Sequence, residues 1–226
     1  MIALGIDTST AAGSVALVRD RRLLGEINLA TPEHHQERLL RSIDSLLDLA
    51  GLDISEVGAL SVALGPGTFT GLRVGIATAK GLAVAAGIPA FGFSTLLAMG
   101  HRFIDQGLPV AALVDAGRGE IYAALFRREQ GELREALAQQ SGGPRDLLAS
   151  LPLEPILFCG DGVERLHDDI LRMRHGTDRL AEGPCFLGAT LARLAAKNIE
   201  EGQPWSITSL KPNYIRPPDA ELGRRR

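Results

Sequence analysis

Three runs at the start of the chain, IALGID (2–7), GSVALV (13–18) and LLGEINL (23–29), are apolar, short and separated by a few turn residues. That pattern predicts three successive strands joined by hairpins. An amphipathic helix is expected next. Thr31-Pro32-Glu33 offers an N-cap, a first-turn Pro and an acid at the positive helix end. Leu39, Leu40, Ile43, Leu46, Leu47 and Ala50 then recur at helical spacing, and Gly51 closes the helix. A buried strand over 58–64, a second helix ending near Gly87, a strand over 90–94 and a helix over 95–105 complete the first half. The second half repeats the order: strands near 110–115, 120–127 and 132–138, a helix near 144–150, a strand at 155–159, and helices at 162–173 and about 186–200. At a shift of 108, Asp7 meets Asp115, Arg19 meets Arg127 and Leu29-Ala30 meets Leu137-Ala138. Three strands followed by alternating helices and strands, twice over, predict two related α/β subdomains of βββαβα type with a cleft between them. The boundaries fall at 1–105 and 106–204, and the Pro-rich tail over 205–226 is expected to run back onto the first subdomain.

Composition narrows the function. Of 226 residues, 45% are apolar and 23% charged, and the net charge is −3. This is a globular composition with no bulk basic field to hold nucleic acid by charge alone. Ten aromatic residues are too few for a base-stacking platform. Two cysteines, Cys159 and Cys185, make neither a disulfide framework nor a zinc cluster. The N-terminal run shows no signal-peptide pattern. The uncharged stretch from Gly81 to His101 contains Pro89 and changes period halfway, so it does not predict a membrane span. A cytoplasmic protein is expected.

Few motifs carry chemistry. Asp7-Thr8-Ser9-Thr10 follows a buried strand, and its amides and hydroxyls suit either a phosphate cradle or a plain polar turn. The equivalent run in the second half is Asp115-Ala116-Gly117-Arg118-Gly119-Glu120. Its Asp115 and Glu120 repel a triphosphate unless a metal or Arg118 intervenes. GPGTFTG (65–71) lies at the carboxyl end of a strand, where ligand clefts form, but lacks the Gly-Lys-Ser/Thr ending of a P-loop. The helix after it carries Gly71, Gly75, Ala79 and Ala83, a stripe of small residues that admits either its own sheet or a partner helix. The adjacent His34 and His35 point apart on a helix, and His167 and His175 read as exposed. No Gly-x-Ser-x-Gly elbow occurs. These residues outline a cleft without a catalytic constellation.

Asp7-Thr8-Ser9, GPGTFTGLRVG (65–75), DAGRGEIY (115–122) and PNYIR (212–216) together resemble the TsaB family, also called YeaZ. The resemblance covers nearly the whole chain. It implies a duplicated actin-like fold (the ASKHA, ribonuclease H-like superfamily) and a part in making threonylcarbamoyladenosine beside the anticodon of tRNAs that read codons beginning with A. The implied role is a noncatalytic, cytoplasmic partner. The paralogue TsaD performs the chemistry, and a small ATPase, TsaE, uses the ATP, so no cofactor is expected on this chain. TsaD holds its metal with a His-x-Glu-x-His run after Ile-Pro. Here Ile88-Pro89 is followed by Thr95, Leu97 and Met99, which are no ligand set. That also removes the metallopeptidase reading suggested by the family's glycoprotease-like label. Asp7, Thr8, Ser9, Asp115 and Arg118 are then the degenerate nucleotide-cleft turns. Gly117 stands where the family commonly has Arg. The implied surface for TsaD, and for a homodimer when the chain is alone, pairs two helices through Leu39, Leu40, Ile43, Leu46 and Leu47 with Gly71, Leu72, Gly75, Ala79 and Ala83. The basic tail, with Lys211, Arg216 and Arg224 to Arg226, is a candidate contact to tRNA. The competing reading is an ATP-dependent small-molecule kinase or ATPase of the same superfamily.

Overall fold

The computed structural model describes residues 1–30, 35–174 and 176–215, the side chains of 35–37 excepted. The expected N-cap at 31–33, His34, His175 and the tail beyond 215 lie outside the described residues. The first half runs β1 (Ile2–Asp7), β2 (Ala12–Arg19), β3 (Arg22–Ala30), α1 (His35–Ala50), β4 (Val57–Gly65), α2 (Phe69–Ala86), β5 (Ala90–Ser94) and α3 (Thr95–Phe103). The second runs β6 (Val110–Gly117), β7 (Glu120–Glu129), β8 (Glu132–Gly142), α4 (Pro144–Ser150), β9 (Leu157–Cys159), α5 (Gly162–Met173), β10 (Arg179–Leu180) and α6 (Gly188–Glu200).

Sheet topology shows the duplication more plainly than the residue matches do. The first sheet is ordered β3-β2-β1-β4-β5 and the second, read the same way, β8-β7-β6-β9-β10. In each, three strands form an antiparallel meander and two more add in parallel. The central strands are apolar on both faces because both faces are covered. Leu4 and Ile6 of β1 point into the core under α1 and α2, while Ala3 faces α6. In β6, Ala111 and Leu113 point toward α4 and α5, while Val110, Ala112 and Val114 face α3.

One boundary differs from the sequence reading. Helix α6 follows β10 in the chain but packs on β1, β2 and β4 of the first sheet. A Cβ on Gly5 would sit 2.0 Å from the carbonyl oxygen of Gly188, so the helix lies directly on the strand backbone. The Ser14 hydroxyl of β2 accepts from the amides of Leu187 (3.1 Å) and Gly188 (2.7 Å), capping α6 from another element. In exchange, α3 packs on β6 and β7 of the second sheet. The unit drawn at 106–204 therefore gives its last helix to the first sheet, where the small residues Ala3 and Gly5 let it lie close. Of the tail, the described residues up to 215 pack on the first half: Leu210 is fully buried in its core and the Asn213 amide donates to the Leu64 carbonyl (2.7 Å). Tyr214 stacks on Phe69 at 6.0 Å, with the Arg73 guanidinium 3.7 Å from the Phe69 ring centre. Among the described residues no helix is long and apolar enough to cross a membrane.

Candidate functional site

The turn after β1 is closed by the chain itself. Asp7, Thr8, Ser9 and Thr10 are all buried. The Ser9 amide (2.9 Å) and hydroxyl (2.7 Å) donate to one Asp7 carboxylate oxygen, and the Thr8 hydroxyl donates to the Gly71 carbonyl (2.7 Å). The Thr68 amide donates to the Ser9 carbonyl (2.7 Å). The glycines of GPGTFTG explain the approach: a Cβ on Gly67 would lie 2.2 Å from the Ser9 carbonyl oxygen, and one on Gly71 2.1 Å from that of Thr8. The hydroxyls and amide that would cradle a phosphate are turned inward. Of the two readings of this run, the geometry is that of a packed polar turn, its Thr8 and Ser9 hydroxyls and Ser9 amide bonded within the chain.

The corresponding turn of the second half is open. Arg118 (φ +52°) and Gly119 (φ +89°) form a two-residue hairpin tip in the left-handed region, where four residues join β1 to β2. Arg118 sits exposed at the tip, and Arg165 of α5 forms an ion pair with Asp115. The spacing of fifty residues hid this pair from the sequence. Asp115 also accepts from the Gly117 amide (2.8 Å), and its own amide donates to Asp161 (3.1 Å). Burial pushes Asp161 up from 3.8 to about 6; the amide from Asp115 opposes the shift and the Asp115 carboxylate adds to it.

Between the halves lies a cleft of about 670 Å³, walled by Thr10 to Ala12 on one side and by Asp161, Glu164, His167 and the 180–185 segment on the other. Asp161, Glu164 and Glu182 make it acidic, which disfavours a polyphosphate. Cys185 borders it, but burial pushes this thiol up to about 12, and that of Cys159 well above its ordinary value. Neither is an activated nucleophile. Thr95 and Met99 are wholly buried, and Met99 sulfur lies against Gly160. A metal does not fit these positions, and no group of three His, Cys, Asp or Glu among the described residues could hold one.

The helical surface needs redrawing. Gly71, Leu72, Gly75, Ala79 and Ala83 are buried within the chain. A Cβ on Gly75 would meet the Thr8 hydroxyl at 2.3 Å. Leu39, Ile43, Leu46 and Leu47 are likewise core, packed with Leu72 and Ile76. These nine residues bind the two helices to their own sheet and are not a free face. Among the described large apolar residues of α1, Leu40 (53% exposed) and Leu49 (83%) face outward, among the exposed Arg41, Asp44 and Asp48. On α2 a second small stripe, Ala77, Gly81 and Ala85, is exposed, flanked by Val84 (67%), and a Cβ on Gly81 would meet nothing within 4 Å.

Comparison with known proteins agrees with this architecture. Residues 28–164 match the family model described as TsaD, tRNA N6-adenosine threonylcarbamoyltransferase. The chain is 36% identical to the tRNA threonylcarbamoyladenosine biosynthesis protein TsaB of Haemophilus influenzae, over 94% of this chain and 92% of that one. It is 30% identical to the Bacillus subtilis protein of the same name, over 98% and 96%. The solved structure of YeaZ from Pseudomonas aeruginosa superposes with a TM-score of 0.80 at 29% identity, covering 94% of this chain and 99% of the other.

Proposed function

Because the chain belongs to the TsaB (YeaZ) family of the actin-like fold and takes part in threonylcarbamoyladenosine biosynthesis in tRNA, we propose that it acts there as a noncatalytic docking partner. Its partner is a TsaD-like paralogue that carries the chemistry, with a TsaE-like ATPase consuming the ATP, and a second copy occupies the same face when the chain is alone. One patch cannot serve both at once, so the two associations compete.

The observation that carries this reading is Gly81. A glycine inside a helix costs about 0.5–1 kcal/mol relative to alanine, and Gly81 has no neighbour in its own chain that needs the space. With Ala77 and Ala85 it lets another helix approach α2 closely, while Val84, three residues on, supplies apolar area beside it. Paired helices from two related chains then make a four-helix contact. The closed Asp7 turn and the acidic cleft weigh against the kinase or ATPase alternative, which needs a metal–nucleotide site on this chain.

The test is reconstitution from purified components. Tagged wild-type chain should bring down a TsaD-like protein from the native host and be required for tRNA threonylcarbamoylation by that protein and a TsaE-like ATPase. Gly81→Leu should abolish both while the chain stays folded. Modification at full rate without this chain, or with Gly81→Leu, contradicts the docking role.

A further inference from the structure

On the side of the molecule away from the Asp7 turn, α3, α6 and the tips of the β2–β3 and β7–β8 hairpins enclose an open groove of about 670 Å³. Five of its wall residues, Arg21, Arg102, Arg128, Arg193 and Lys197, are cationic, against the acids Asp105 and Glu132, although the whole chain carries −3. Three of the cations have carboxylate partners: Arg21 with Glu200, Arg128 with Asp105 at 2.7 Å, and Lys197 with Glu201 at 3.5 Å. The other two do not pair with a carboxylate among the described residues. Arg102 donates to the Phe186 carbonyl (2.7 Å) and Arg193 to the Arg21 carbonyl (3.1 Å). Each guanidinium has five N–H donors, so each keeps most of its fork for something else. A carbonyl contact fixes the side chain without neutralising it, the arrangement suited to holding an anion. His101, in the same wall, is held below its ordinary value by burial and then by the Lys197 charge, consistent with a positive field in the groove.

We propose that this groove holds backbone phosphates of the tRNA, with Arg102 and Arg193 as the phosphate forks; the inference rests on the role in tRNA modification given above. The cations are spread along the walls of an open trough and come from four separate elements of both halves. Such spacing follows a repeated phosphate backbone rather than enclosing a single small anion, and contacts of this kind position an RNA without reading its sequence. The groove draws its residues from positions 21 to 197, so it is independent of the basic tail.

The experiment measures the affinity of the assembled complex for unmodified tRNA between 50 and 200 mM salt, a window in which phosphate contacts change affinity steeply, roughly by orders of magnitude. The double variant Arg102→Gln, Arg193→Gln should weaken binding roughly tenfold at the lower salt and reduce the salt slope by about 2, one for each phosphate no longer held. Glu132→Gln, which removes an acid from the wall, should tighten binding by about twofold; a gain of this sign has no explanation in misfolding. Unchanged affinity and slope in the double variant, with the complex still formed and active, overturns the groove and leaves the docking role standing. Loss of the protein partners instead of the tRNA makes the groove a protein contact and also overturns it. Full competition by inorganic pyrophosphate at concentrations that leave the salt slope of the remaining binding unchanged assigns the groove to a small anion, again against the proposal. Failure of the wild-type chain to support modification contradicts the functional reading itself, separately from the groove.

Discussion

The turns after β1 and β6 hold equivalent places in two copies of one sheet order, yet one is dry and the other wet. In the first half, Asp7 to Thr10 are buried and bonded to the GPGTFTG loop that covers them. In the second, Asp115 is more than a third exposed, pairs with Arg165, and ends in a tight two-residue tip. Here the first has become packing and the second an ion pair, so the cleft between them is a wall of acids and small side chains. The difference teaches that a duplicated fold can keep its topology while its equivalent turns take quite different partners.

The comparison is sharpest in the glycines. Gly71→Val should destabilise by about 3 kcal/mol or more, because the new side chain meets a backbone carbonyl that has nowhere to move. Gly117→Ala, in the second half, meets open space and only a positive φ of 71°, so about 1 kcal/mol is expected from the left-handed backbone. Urea unfolding of both variants measures the gap. Equal losses would mean that the first turn is no more tightly closed than the second.

A pair within α2 comes next in size. Gly75→Ala should cost about 1–3 kcal/mol against Thr8, whereas Gly81→Ala, one and two-thirds turns on, should stabilise the monomer by about 0.5–1 kcal/mol. Thermal melts read the sign, and light scattering reads association. A Gly81→Ala chain that melts lower than wild type would place a hidden contact on the outer face and remove the argument for a docking helix.

The smallest effect concerns Asp161. Its carboxyl holds a proton up to about pH 6 in the folded chain, against 3.8 ordinarily. The folded state thus binds more protons than the unfolded one between those values. The stabilisation from this group is present below 3.8 and is lost as the pH rises through about 6. Carboxyl NMR should show a titration near 6 that moves down in Asp115→Asn but stays above 3.8, since burial is the larger cause. Asp161→Asn should flatten the stability change across that window. A wild-type titration near 4 would show the second turn to be fully solvated.

The element order was legible because hydrophobic period and turn residues report it locally: α2 begins at Phe69, within GPGTFTG, and runs to a left-handed cap at Gly87, as its composition implies. Which face of α2 meets the sheet was not legible. Small residues recur every four positions on both sides, at 71, 75, 79, 83 and at 77, 81, 85, and only the position of Thr8, more than sixty residues earlier, decides between them. The exchange of α3 and α6 between the sheets was hidden for a similar reason, since chain order says nothing about which inner face has the room. Arg165 and the basic groove depend on residues scattered along the chain and come together only in the fold. Leu210 and Asn213, which anchor the described part of the tail on the first half, are single residues that no sequence pattern marks.

The claim that the first turn is closed, and that the chain therefore serves as a docking partner rather than a nucleotide enzyme, is tested most directly by calorimetric titration of the isolated full chain with Mg-ATP, with ADP release followed in the same sample. The expected result is no saturable heat and no ADP above the background of the buffer. Stoichiometric binding accompanied by turnover would mean that the Asp7 turn opens to receive phosphate, and would contradict the account.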